Sequence, residues 1–456
     1  MTIKVKKGGA YVDPVGVFVK KGGAYAAVQG VYAKASGAYR SALAPVNFYG
    51  ANRYEGNSQM TTGASGLSTA HFKIEAEAPV RRVRVWIAGK SASGTLPNFK
   101  ALVASSETAP RDTVNNMYLP VSGGTVYNSV VTNGPGWRAV TWDGGAASKV
   151  LPLASAAANA ASVMCSEWID CPSLPRADAP GGRPMMLLRV TQDVVGAPYT
   201  VAAATANLTT YQGARGLESW FREYFSARTS NDGIATLSNI PANVTQGSGM
   251  YAWLEFEYAV KTRSVLVVGE SIMQSTASTY AYDNWTRVPL LELSTPSAPI
   301  SVANIAGSGH SSVQFLTLLD GVLNAGLKPT DVVMPGWSQN GFTPTDAGAD
   351  TLIALNKTYI DKLRAAGIRV FMTTSYAVTG FTGSAEAARV KCINQVRAWA
   401  LQGLVTLVET DGIVTDYSGG NGVLKAEYNS GDNVHANAAA QRQMSNHLKA
   451  VWQANP

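Results

Sequence analysis

The chain has 456 residues, 46% of them apolar and 15% charged, which excludes a disordered chain and is too long for one core. Two or three domains are expected. The formal charge of +7 is concentrated at one end. Residues 1–45 carry Lys4, Lys6, Lys7, Lys20, Lys21, Lys34 and Arg40 against Asp13 alone, so six of the seven net charges lie there. The basic balance is therefore no argument that the protein binds nucleic acid. No apolar run approaches the roughly 18 residues of a membrane span. The amino-terminal stretch is basic with no apolar run behind it, so a cleaved signal peptide is not expected.

A repeat opens the chain: "IKVKKGGAY" (3–11), "VFVKKGGAY" (17–25) and "VYAKASGAY" (31–39) recur every 14 residues. Each unit has a short apolar/basic run, a Gly-Gly or Ser-Gly turn and a tyrosine. Gly permits the positive φ of tight primed turns, so the units read as β-hairpins. Units this short bury no core alone, and residues 1–45 are expected to attach to a partner or to other copies of the chain.

Residues 46–260 read as mostly β. In "HFKIEAEAPVRRVRVWIAG", Phe72, Ile74, Ala76, Val83, Val85 and Ile87 fall on one face, with Arg82, Arg84 and Trp86 on the other. "MMLLRV" and "YAWLEFEYAV" are further strands, and Gly/Pro/Asn clusters separate them. A sandwich-like fold follows, in one domain or two, suited to carbohydrate binding. "GLESWFREYFSAR" is the one helical candidate here. Cys165 and Cys171 are spaced either for a short-loop disulfide or for two buried thiols, and Cys392 falls in a helical core pattern.

Across 261–456 the pattern changes to alternating βα. The strands are "SVLVVG" (264–269), "ISVANI" (300–305), "DVVMPG" (331–336), "IRVFMTTS" (368–375) and "LVTLVET" (404–410). Amphipathic helices lie between them, with Leu352, Leu355, Tyr359 and Leu363 on one stripe. The expectation is α/β: a doubly wound parallel five-stranded sheet with function at the carboxyl ends of its strands.

Ser271 follows the first of these strands. Of the four histidines, His71 falls in a strand pattern and His447 on a solvated helix face; His310 and His435 are in loops. Asp432 stands three residues before His435. A serine hydroxyl needs a base to take its proton, and the base needs an orienting group; Asp-x-x-His can fold back to supply both. Acyl transfer also needs donors for an oxyanion, and Gly309 and Asn340 follow the second and third strands.

Together, "GES" at 269–271, the Asn-x4-Gly of 304–309, the Asn of "GWSQN" at 336–340 and "DNVH" at 432–435 resemble the four blocks of the SGNH (GDSL-like) hydrolases. The resemblance covers roughly 262–456. It implies Ser271 as nucleophile, His435 as base, Asp432 as its orienter, and the Ser271 and Gly309 N–H groups with the Asn340 amide as oxyanion donors. Two departures are Glu270, where Asp is common, and a third block flanked by Ser338 and Gly341 rather than written Gly-x-Asn-Asp. Serine chemistry needs no metal or cofactor, and Cys/His metal spacing is absent.

Trp337, Phe342 and Tyr376 are candidate substrate contacts, and Tyr280, Tyr282 and Trp285 follow the nucleophile; aromatic faces suit sugar rings and core packing alike. No long apolar lid is evident, against a lipase. The "VKKGGAY" units are similar to hairpin repeats at the start of bacteriophage tail and tail-fibre proteins. Joined to the hydrolase blocks, they imply a virion-borne esterase that removes O-acetyl groups from a bacterial surface polysaccharide. It would assemble in the host cytoplasm, bind other tail proteins through residues 1–45 and form a homo-oligomer, by analogy a trimer. Two alternatives stay open: a non-catalytic glycan-binding tail protein on a degenerate scaffold, and a small-molecule esterase or thioesterase.

Overall fold

The structure, a computed structural model, describes residues 76–89, 94–105, 137–153, 163–173, 184–194, 250–258 and 260–456 apart from 275–283, 308 and 379; of the rest it describes only strands, in several of them the backbone alone. Tyr280 and Tyr282 lie outside the described residues.

In the repeat region, Val5–Lys7 pairs antiparallel with Ala10–Val12, Phe18–Lys21 with Ala24–Ala27, and Tyr32–Ala35 with Ala38–Ser41. The innermost partners are Lys7 and Ala10, Lys21 and Ala24, Ala35 and Ala38. Each pair encloses two residues, the loop length of a primed turn.

Two antiparallel sheets follow. One centres on Val80–Gly89, flanked by Met250–Tyr258 on one side and by Val163–Cys165 and Ile169–Ser173 on the other. The other runs through Gly94–Ser105, Met185–Val194 and Gly66–Glu75. Val83, Val85 and Ile87 are fully buried on one side of their strand. The opposite side is covered too: Trp86 stacks on Trp253 with ring centres 5.8 Å apart, and its Nε1 donates to Glu255 at 2.7 Å. Arg84 and Arg82 pair with Glu255 and Glu257 across the same ladder. The helix expected over 216–228 is corrected at Tyr224–Ser226, which is a strand paired with Ala70 and His71. Pairing beside the long 66–75 strand overrides the local helical pattern; the rest of that segment lies outside the described residues. Cys165, Cys171 and Cys392 are free thiols, and burial pushes Cys165 up to about 12.

The carboxyl-terminal part is a parallel sheet of five strands, β1 (Arg263–Val267), β2 (Ile300–Asn304), β3 (Asp331–Pro335), β4 (Arg369–Thr373) and β5 (Thr406–Val408), in the order β2-β1-β3-β4-β5. β2 and β3 are buried along their whole length, as near-continuous apolar runs in a covered parallel sheet should be. The helices are α1 (Val288–Leu293), α2 (Ser312–Asn324), α3 (Asp346–Ala365), α4 (Ser384–Leu401), α5 (Asp411–Val414) and α6 (Ala438–Ala454). α3 packs on α4 and α1 on α6, which gives the doubly wound layering. α2 starts at a capping box, Ser311 and Gln314 each satisfying the other's backbone N–H. The antiparallel and parallel parts share one apolar cluster, and polar contacts cross between them: Ser294 Oγ donates to Glu77 at 2.5 Å, and Ser301 and Tyr258 hydroxyls lie 3.1 Å apart.

The amino ends of the strands are locked by charge. Asp331, with no exposed side chain, accepts from Arg369 at 2.7 Å, Thr330 at 2.7 Å and Arg263 at 3.3 Å. Arg369 also reaches the Pro456 carbonyl at 2.9 Å, and the Arg263 guanidinium lies 3.8 Å from the Trp452 ring centre. Asp331→Ala leaves two cations facing each other without a counter-charge. It is expected to cost about 1–3 kcal/mol of stability, read from denaturant unfolding, because Thr330 and two partly exposed arginines lose the buried acceptor they share.

Candidate active site

The site is built where β1, β2 and β3 end. β1 runs into Gly269, whose φ is +147°, a region that favours glycine; a Cβ there would lie 2.4 Å from Met273 Cγ. The chain then turns through Ser271–Gln274. Carbonyls of that turn are held from outside: Trp285 Nε1 donates to Ile272 O at 2.8 Å, Asn304 Nδ2 to Met273 O at 3.0 Å, and Asn284 Nδ2 to Gln274 O at 3.0 Å. Asn284, Trp285 and Asn304 are all buried. Trp285 thus acts as a structural donor. The sequence signal for these three was weak, because a donor aimed at a main-chain carbonyl leaves no periodicity.

The loop after β2 links the Ser271 turn to the loop after β3. Gly307 N–H donates to Gly269 O at 3.0 Å, and His310 N–H to Gly307 O at 3.0 Å. His310 O then accepts from Ser338 Oγ at 3.0 Å and Asn340 Nδ2 at 3.3 Å. Gly309 lies inside this chain of contacts at φ +80°. Gly336, before Asn340, has no room for a Cβ, which would meet Val396 Cγ2 at 2.4 Å.

The loop before α6 carries His435. Asn433 takes the left-handed conformation, φ +60°, which Asn tolerates better than other non-glycine residues. That reversal lets Asp432 fold back. Its Oδ1 accepts the Val434 and His435 amides at 2.9 and 2.8 Å, and its Oδ2 lies 2.5 Å from His435 Nδ1. Asn429 closes the loop by accepting the Gly431 and Asn433 amides, and Tyr376 OH accepts the Ala436 amide at 3.0 Å. Asn437 caps α6.

His435 Nε2 lies 2.9 Å from Ser271 Oγ, joining residues 164 positions apart. Asp432 Oδ2, an acceptor, places the ring proton on Nδ1, so Nε2 is free to accept the Ser271 hydroxyl proton. Burial works to raise the Asp432 carboxyl, but the His435 ring and the His435 and Val434 amides override it and hold the group well below the usual carboxylate range. It therefore stays ionised as the partner of a charging imidazole. Ser271 is 3% exposed, and the His435 side chain 18%. This arrangement can deprotonate a serine hydroxyl and hold the resulting imidazolium.

Other expected residues are placed differently. Trp337 and Tyr376 are each 1% exposed: Trp337 packs against Phe342 and Phe381, and Tyr376 accepts the Ala436 amide. Phe342 is half-buried. His447 is half-buried rather than solvated, and its Nε2 accepts the Glu409 amide at 3.1 Å. Among the described residues no group of His, Cys, Asp or Glu is arranged to hold a metal ion, and no helix is long and apolar enough to cross a membrane.

No family model and no curated protein matches the chain. Among solved structures, the chain is similar to a GDSL-like lipase from Bacteroides thetaiotaomicron VPI-5482, at 18% identity and TM-score 0.32 over 42% of this chain and 88% of that one. It is also similar to the psychrotrophic esterase EstA from Pseudoalteromonas sp. in a form inhibited by monoethylphosphonate, at 16% identity and TM-score 0.33 over 42% and 97%. A member of the lipolytic G-D-S-L family from Veillonella parvula DSM 2008 aligns at 12% identity and TM-score 0.35 over 42% and 98%.

Glu270, beside the serine, has no exposed surface, and among the described residues neither carboxyl oxygen has a side-chain hydrogen-bond partner. Burial pushes it up to about 8 from 4.5. Below pH 4.5 the group is neutral folded and unfolded alike; as pH rises towards 8 only the unfolded chain releases the proton, so stability falls across that window. Glu270→Gln is therefore expected to stabilise the protein at pH 7 by on the order of 3 kcal/mol and to have little effect at pH 4. Paired denaturation curves of variant and parent at the two pH values check this.

Proposed function

We propose that the chain is a serine esterase that removes O-acetyl groups from a bacterial surface polysaccharide. The observation that carries the reading is the continuous relay Asp432–His435–Ser271, with contacts of 2.5 and 2.9 Å at the carboxyl edge of the parallel sheet. In the proposed reaction Ser271 Oγ attacks the acetyl carbonyl carbon while His435 Nε2 takes its proton. The oxyanion is met by the Ser271 and Gly309 N–H groups and the Asn340 amide. Collapse breaks the bond to the sugar oxygen, which leaves with the proton from His435. Water, deprotonated by His435, then attacks the acetyl-serine and releases acetate.

Residues 1–45 support a virion setting in this reading. Their hairpins, each too small to be stable alone, would be completed by tail proteins or by other copies of the chain. The charge gathered there lies outside the hydrolytic machinery.

Ser271→Ala and His435→Ala are each expected to lower kcat for 4-nitrophenyl acetate by on the order of 10⁴ or more with folding unchanged, and Asp432→Asn to cost roughly 10- to 100-fold less. Asn340→Ala should cost about 10²–10³. Acetate release from acetylated polysaccharides, with the Ser271→Ala protein as control, tests the substrate class. A Ser271→Ala protein that retained most of its activity would remove the relay from the mechanism.

A further inference from the structure

A cleft of about 320 Å³ opens beside Asn340, between the first turn of α2 and the segment leading into α3. That is the lower end of the size range of small-molecule sites. Its near wall depends on Gly341, at φ +70°, whose missing Cβ would lie 2.9 Å from Ser311 Cβ. The loop can therefore close onto α2 and bring the cleft up to Asn340. The Asn340 amide spends one N–H on His310 O and has a second to offer.

None of the thirteen lining residues is charged. A phosphate or carboxylate ligand would meet no cationic side chain there, only the first-turn amides of α2 and α3, several of them already taken by the Ser311 and Thr345 caps. What lines the cleft instead is hydroxyl groups over an apolar floor of Leu352 and Leu355. The hydroxyls are half engaged. Ser311 and Thr345 each accept a backbone amide, at 3.3 and 3.1 Å, and so keep their O–H donors; Thr351 donates to Ala347 O at 2.9 Å and so keeps its lone pairs. Donors and acceptors side by side, above aliphatic carbon and beside Phe342, match a ring whose rim carries hydroxyls and whose face carries C–H groups. A fatty chain would leave those hydroxyls without partners.

We propose that this cleft is the subsite for a single uncharged sugar ring, the one that bears the scissile ester. The inference rests on the esterase reading above and adds where, and by what chemistry, the alcohol side of the ester is held.

The test compares two esters on the full chain: a panel of mono-O-acetylated methyl hexosides, and 4-nitrophenyl acetate, whose small planar alcohol does not need the hydroxyl lining. Ala347 is exposed at the start of α3 and Val313 is 56% exposed at the opposite rim, so Ala347→Trp and Val313→Trp fill the cleft without disturbing a core. Each is expected to raise KM for at least one acetylated hexoside tenfold or more and to leave kcat/KM for 4-nitrophenyl acetate within twofold. Equal losses on both esters, or no change on either in both variants, would overturn the subsite. A parent protein that hydrolyses 4-nitrophenyl acetate through Ser271 but none of the hexosides overturns it too, and leaves the serine esterase standing. Activity that survives Ser271→Ala sinks the esterase reading and the subsite with it.

Discussion

The contact between Ser271 and His435 is the constraint to which the rest of the carboxyl-terminal fold answers. A 2.9 Å contact between side chains 164 residues apart exists only if both backbones are held to a fraction of an ångström. Each is held by a different device. The serine turn has its carbonyls taken by Asn284, Trp285 and Asn304 from two other segments. The histidine loop is closed on itself by Asn429 and Asp432 and tied to the end of β4 through Tyr376. Asp432 serves twice: one carboxyl oxygen organises the turn and the other orients the ring. Folding of the loop and orientation of the imidazole are one event.

The two ends of the sheet divide the labour. At the amino ends, Asp331 gathers two arginines, one of which also holds the Pro456 carbonyl, into a structural lock. At the carboxyl ends, glycines take over: Gly269, Gly309, Gly336 and Gly341 each sit where a side chain would strain the backbone or collide. Between these ends the sheet is dry, and that dryness reaches Glu270. A carboxyl with no side-chain partner among the described residues is held neutral beside Ser271 because burial disfavours its charged form.

Much of this was legible in the sequence where one residue type has one physical meaning. Short near-continuous apolar runs such as 332–335, alternating with amphipathic helices, cannot be half-exposed strands, so the parallel sheet and its strand ends followed. The 14-residue repeat reported its own loop length. Asp432 and His435 were legible as a pair because three residues is the reach of one turn. What was not legible shares a cause: it depends on what the chain meets in space. Tyr224–Ser226 is a strand because a long neighbouring strand offers it a ladder. His447 looks like a surface residue on its helix, yet α6 is docked so that its ring receives the Glu409 amide. Trp337 and Tyr376 follow strand ends, as substrate contacts do, but both are enclosed. For Trp337 the neighbours include the fully buried Arg389, itself paired with Glu386 and Asp411, 6.0 Å from the ring centre. No pattern along the chain encodes that enclosure.

The distribution of charge ties these parts together. The positive excess belongs to the repeats, while the cleft beside Asn340 is lined by neutral groups only. On the reading proposed above, residues 1–45 would serve attachment, through lysines and strand edges, and the cleft would serve substrate choice, through hydroxyls whose hydrogen-bonding capacity is only half spent. A site of the second kind discriminates by geometry: a ligand that cannot pair with those hydroxyls leaves them desolvated, and that penalty rejects it more sharply than any lost attraction would.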